Sequence, residues 1–137
     1  MVSIGSLSKM TGVKVPTIRY YEQVGLLLEP DRSEGNQRRY DSQAVERLGF
    51  IRHARDLGFS VEAIRELLEL SDQPDRSCHE ATRIAGEQLF AVRARIVKLK
   101  RLESELDRIA SGCSADAASK CYVLHALADH SLCKSGH

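Results

Sequence analysis

Residues 78–113, CHEATRIAGEQLFAVRARIVKLKRLESELDRIASGC, decide the architecture. The run has no proline and a single glycine, Gly86, ahead of its closing Ser111-Gly112. Alternate steps of four and three from Cys78 land on Thr82, Ala85, Leu89, Val92, Ile96, Leu99, Glu103, Leu106, Ala110 and Cys113. The middle of that series is apolar, which is the 3.5-residue period of a coiled-coil seam. Leu102 and Ile109 widen the stripe. Arg93, Arg95, Lys98, Lys100, Arg101, Glu105 and Asp107 occupy the other faces and suit solvent. Both cysteines are in phase with the seam. They stand 35 residues apart, which is roughly 52 Å of helix at 1.5 Å per residue. One unbroken helix cannot bring them together, whereas two copies running antiparallel set Cys78 of one chain beside Cys113 of the other. On spacing alone a second reading stands beside this one: Cys78 as a small helix-cap hydrophobe and Cys113 as an ordinary loop residue.

The whole chain is 137 residues, 42% hydrophobic and 28% charged, with a net charge of +1. Those values bound a soluble protein of one or two small domains. Global charge is uninformative about partners, but residues 1–21 hold Lys9, Lys14 and Arg19 and no acid. No apolar run approaches the 18 residues or so of a membrane span, and Lys9 and Gly12 interrupt any signal peptide, so a cytoplasmic protein without membrane contact is expected. Four cysteines in a reducing compartment point to metal ligation before disulfides.

Outward from the long helix, the N-terminal third carries a helix pair. Ser3 is placed to cap a helix bearing Ile4, Leu7 and Met10 on one face, and Gly12 ends it. Pro16 fits the first turn of a second helix that runs through Thr17, Ile18, Arg19, Tyr20 and Tyr21 and stops before Gly25. Helix, glycine turn and short polar-aromatic helix is the layout of a helix-turn-helix, a layout shared with many helical hairpins. Residues 31–40, DRSEGNQRRY, centre on a Gly35-Asn36 turn suited to a hairpin. Arg32, Arg38 and Arg39 flank that turn and Tyr40 follows. Such a hairpin is either a wing lying on DNA phosphates or a solvated loop whose arginines pair with Asp31 and Glu34.

Three motifs, taken in order, resemble the MerR family of transcription regulators. They are IRYYEQVGLL with the Arg-Ser-Glu-Gly-Asn wing ending in Arg-Arg-Tyr, then IRHARDLGFSVEAIRELLEL, then a cysteine, a long helix and a cysteine-bearing loop. The likeness covers residues 2–127, with Gln37 standing where many relatives place an aromatic. It implies that Lys14, Thr17, Arg19 and Tyr20 of the second helix and Arg32, Arg38 and Tyr40 of the wing meet DNA. Arg19 would reach the major groove, and Tyr40 would support the wing or touch the backbone.

Between wing and long helix, Asp41 or Ser42 caps a helix carrying Val45, Leu48, Ile51 and Ala54, which Gly58 ends. Ser60 caps another with Ile64, Leu67 and Leu68 inward, and Asp72-Gln73-Pro74-Asp75 is a linker. His53 belongs to the surface of the first.

Beyond the long helix, Cys113 and Cys121 bracket the seven residues SADAASK. Cys-x7-Cys is a loose pattern, and tight zinc ribbons use shorter spacing. Tyr122 to Leu127 fit a short helix that would lid a site. The resemblance implies a metal ion held between two protomers by Cys113 and Cys121 of one chain and Cys78 of the other. Relatives responding to monovalent copper, silver or gold carry Ser where this chain has Cys78, and those responding to Zn, Cd, Pb or Hg keep Cys. Charge logic runs the same way: two thiolates neutralise a monovalent soft ion, and a divalent ion wants three or four ligands. The short loop, by contrast, resembles that of the copper sensors. His79 and His125 near the site, and His130, Cys133 and His137 in the tail ADHSLCKSGH, are candidate additional ligands. The tail also fits a plain polar terminus.

The expected fold is mainly α. Residues 1–73 form a winged helix-turn-helix with its linking helices, 74–111 a long antiparallel coiled-coil dimerisation helix, and 112–137 the metal-binding loop, short helix and tail. The expected function is metal-responsive control of transcription by a homodimer on double-stranded promoter DNA with RNA polymerase, switched by a divalent ion in the order Zn(II), then Cd(II) or Pb(II), then Hg(II). Two other readings are a monovalent-ion sensor of the same family and a thiol-based redox regulator. Only 24 residues follow Cys113, too few for a drug-binding domain. No Cys–His–Asp arrangement or glycine-rich phosphate loop suggests an enzyme.

Overall fold

The Ser3 hydroxyl accepts from the Ser6 amide at 3.2 Å and starts α1, Ile4–Thr11. Gly12 ends it with φ 74°, a left-handed turn that costs glycine nothing. In this computed structural model the described residues are 1–32, 35, 38–112 and 121–128. Helix α2, Val15–Gln23, has Pro16 in its first turn and buries Ile18 and Tyr21. The chain then returns through Leu26 and Leu27, both in the core. Strands β1, Asp31–Arg32, and β2, Arg38–Arg39, pair antiparallel with Asp31 opposite Arg39 and Arg32 opposite Arg38. Gly35 lies in the turn between them. Tyr40 continues the ladder by one residue, bridging to Val2, an N-terminal pairing that no periodic pattern announces.

Asp41 rather than Ser42 caps α3, Ser42–Asp56, by accepting from the Ala44 amide at 2.9 Å. Ser60 does the same for α4, Val61–Ser71, at 3.1 Å from the Ala63 amide. Leu7, Ile18, Leu26, Leu48, Ile51 and Ile64 are fully buried and hold α1 to α4 together. Helix α5 runs unbroken over His79–Gly112, 34 residues or about 50 Å. Helix α6 is Tyr122–Ala128. The chain divides into two compact units, Met1–Gln88 and Leu89–His137. In the first, the opening turns of α5 pack with the head: Ile84 is buried and Gln88 Nε2 donates to the Leu57 carbonyl at 2.9 Å. Among the described residues no helix is long and apolar enough to cross a membrane.

Four arginines of α3 and α4 tie the head through backbone carbonyls. Arg47 Nε donates to Leu26 O at 2.7 Å, and Arg65 Nη2 to Val24 O at 2.6 Å, so both brace the end of α2. Arg55 Nη1 reaches Phe59 O at 2.7 Å, and Arg52 Nη1 donates to Thr11 O. A Cβ at Gly12 would displace that Arg52 guanidinium, the movable end of a long side chain, so it is the positive φ that calls for glycine at residue 12. Each tie supplies a donor to a carbonyl that a helix end or turn leaves unpaired.

Candidate functional site

The buried face of α2 fixes what its other face offers. With Ile18 and Tyr21 turned inward, Lys14, Arg19 and Tyr20 are exposed and Thr17 half-buried. Lys14 is the N-cap residue and makes no capping bond with its side chain. Two cations and a phenol therefore project from one short helix, with the helix N-terminus beside them, an arrangement that attracts phosphate. The Tyr20 ring leans on Tyr21, centroids 5.9 Å apart and planes at 52°, which limits its freedom.

Beside α2, the β1–β2 ladder sets Arg32 against Arg38 in register. Tyr40 is 2% exposed, and its hydroxyl donates to Glu22 Oε2 of α2 at 3.2 Å. Through this bond Tyr40 links the base of the hairpin to α2. His53 is exposed on α3.

At the other end of the candidate machinery, Cys78 is an exposed thiol at the start of α5, 3.8 Å from Thr82 Oγ1. His79 opens α5 and its amide donates to Ser77 Oγ at 3.2 Å. Cys121 is half-buried immediately before α6, and His125 is exposed on it. Cys113, His130, Cys133 and His137 lie outside the described residues. Among the described residues of one chain, no group of three or more His, Cys, Asp or Glu is gathered that would hold a metal ion. The donors present are soft thiols, which fit a soft ion.

Two features of α5 differ from its periodic reading. Glu105, placed with the solvated faces above, is only 4% exposed; Arg108 pairs with it and also donates to the Tyr122 hydroxyl. Phe90 and Val97, seven residues apart, sit off the seam and are 78% and 50% exposed. The seam itself is bare in the single chain: every residue from Arg93 to Arg101 is exposed, Ile96 and Leu99 among them. Only near its end does the helix bury apolar surface again, with Ile109 and Ala126 of α6 both in the interior.

The family description "MerR HTH family regulatory protein" matches residues 2–71, and "MerR, DNA binding" matches residues 45–109. The transcriptional regulator ZntR of Escherichia coli is 43% identical over 130 residues, covering 93% of this chain and 92% of that one. A mercuric resistance operon regulatory protein of Pseudomonas fluorescens is 42% identical over 114 residues, covering 83% and 78%. Among solved structures, the regulator PbrR691 of Ralstonia metallidurans in complex with lead(II) superposes with a TM-score of 0.79 at 39% identity, covering 93% of this chain and 99% of that one.

Proposed function

The chain belongs to the MerR family of helix-turn-helix regulators, and from that premise we propose that it controls transcription of metal-resistance genes in response to a soft divalent ion. Its head binds promoter DNA. Residues 1–73 read the DNA, 74–111 form the dimer helix and 112–137 form the metal-binding end. One observation carries the reading. Helix α5 is continuous for 34 residues, a thiol stands at its start, a second thiol-bearing segment follows its end, and its middle is a bare apolar stripe. A second copy running antiparallel covers the stripe and brings Cys78 of the partner subunit to Cys113 and Cys121.

Three thiolates suit Zn(II), Cd(II), Pb(II) or Hg(II). The relatives named for zinc and mercuric resistance, and the lead-bound homologue, support that range. Zn(II) is the first candidate inducer. By resemblance, the dimer holds a promoter whose spacer is too long, represses it without metal, and on loading bends the DNA so that RNA polymerase engages. That bending is an elastic cost on the order of a few kcal/mol, met by protein contacts.

In this scheme Arg19 enters the major groove, and Arg32 and Arg38 hold phosphate from the wing. Arg38→Ala is expected to weaken binding to every DNA sequence alike and to lower the salt slope by about one phosphate contact. Filter binding across a salt series measures both, and an unchanged slope removes the wing from the interface.

Metal titration against promoter-bound protein, with transcript yield as the readout, tests the function itself. The wild type is expected to activate at stoichiometric divalent ion. Cys78→Ser is expected to keep its DNA affinity and lose divalent-metal affinity on the order of 10–100-fold or more, the lower end being what an outer-shell partner alone contributes. A response to Ag(I), which needs two thiolates, is expected to survive. Undiminished Zn(II) and Cd(II) activation in Cys78→Ser would refute the three-thiolate reading.

A further inference from the structure

Four residues at the junction of α5 and α6 are locked together although the segment between the helices is not among the described residues. Glu105 is 4% exposed, and its carboxylate accepts from Arg108 Nη2, one turn along the helix. Arg108 Nη1 donates to the Tyr122 hydroxyl at 2.6 Å. The Tyr122 ring lies against Gly112, so closely that a Cβ there would collide with the ring's Cδ1, Cε1 and Cγ atoms. Gly112 is the last residue of α5 and is not among the glycines of positive φ, so no left-handed turn calls for glycine there. Its lack of a side chain leaves room for the ring. A buried carboxylate is costly unless paired, and here the pairing arginine is the same group that holds the tyrosine.

We propose that Glu105, Arg108, Gly112 and Tyr122 form a clamp that sets the spacing of the two loop thiols, with Gly112 and Tyr122 as positioning residues for a soft divalent ion. The proposal rests on the metal reading of Cys113 and Cys121. Cys113 is the residue after Gly112 and Cys121 the residue before Tyr122. Each is one peptide unit, about 3.8 Å between Cα atoms, from a clamped neighbour. The contact between residues 112 and 122 thus fixes the residues that flank the two thiols. Closing a loop and ordering its ends is an entropic cost of binding. A clamp made in the metal-free protein removes part of it in advance, as outer-shell groups do for metal ligands generally.

The test is a mutant cycle on the full-length protein, with Cd(II) affinity read by chelator competition and by the thiolate-to-Cd(II) absorption band. Gly112→Ala pushes the ring away and is expected to lower Cd(II) affinity about 10–100-fold. Tyr122→Ala is expected to lose a similar amount. Tyr122→Phe keeps the ring on Gly112, loses only the Arg108 bond, and is expected to lose less. Gly112→Ala added to Tyr122→Ala is expected to cost nothing further, because no ring remains to displace. Helix content and metal-free DNA affinity are expected to stay at wild-type values in all of them, which a general folding defect would not allow. Gly112→Ala protein that binds Cd(II) as tightly as wild type overturns the clamp, and so does an additive double mutant. If the wild type has no thiolate band, or the band survives Cys113→Ser with Cys121→Ser, the metal reading fails and the clamp falls with it.

Discussion

Ile96→Asp is expected to yield monomers. Ile96 sits in the stretch from Arg93 to Arg101, every residue of which is exposed, and it is itself 44% exposed. Leu89, Val92 and Leu99 continue the same stripe. Covered by a second α5, each side chain contributes roughly 1.5–3 kcal/mol when fully buried, and a symmetric pair counts every one twice. Aspartate at the centre replaces one such gain with a desolvated, unpaired carboxylate, a penalty of several kcal/mol per ion. The head has its own core around Leu48 and Ile51 and is expected to stay folded. Light scattering then reports the single-chain mass, circular dichroism a retained head, and gel shift the loss of palindromic-site binding. A dimer of undiminished affinity in Ile96→Asp rules out this seam as the interface.

The second large effect comes from mixing mutants. One subunit carries Cys78→Ser; the other carries Cys113→Ser and Cys121→Ser. Each parent homodimer is expected to lose tight divalent-metal binding. In the mixed dimer, the intact loop of the first subunit meets the intact Cys78 of the second, so one full site is expected per dimer. A site built within one chain would give none. The asymmetry arises because α5 separates Cys78 from its own loop by an unbroken 34-residue helix. Tandem affinity tags isolate the mixed species, and equilibrium dialysis with Cd(II) counts the bound ions. Zero ions per mixed dimer, with DNA binding preserved, would remove the cross-chain site.

Much of the head is legible in the chain because its signals are local. Ser3, Asp41 and Ser60 cap helices through bonds three residues long, and Gly12 and Gly58 stop them with positive φ. The long helix is legible because nothing in residues 79–111 breaks it. What escapes a periodic reading is every contact whose partner lies far along the chain. Arg52 and Arg65 look the same in sequence whether they reach a phosphate or a carbonyl 41 residues earlier. Glu105 falls on a polar position of the wheel and is buried, paired with an Arg108 that also bonds Tyr122 on another helix. Tyr40 beside two arginines suggests a DNA contact, and its burial against Glu22 depends on α2, 18 residues upstream. Of the thiols, the phase of Cys78 is visible in the seam, whereas Cys113 and the candidate tail ligands His130, Cys133 and His137 lie outside the described residues.

The arginine ties also impose a timetable on synthesis. Helix α2 ends at Gln23, yet the carbonyl of Val24 is held by Arg65. At roughly 5–20 residues per second, the 41 residues between them take about 2–8 s to make. Until then the end of α2 lacks one of its braces, and the loop that joins them closes only at an entropic cost. The junction of α5 and α6 has no such wait: Arg108 and Tyr122 are 14 residues apart and Glu105 and Arg108 three, the short-range closures that form fastest. A nascent chain therefore completes the bracing of α2 only after α4 has emerged, whereas the α5–α6 contacts close as soon as Tyr122 is made.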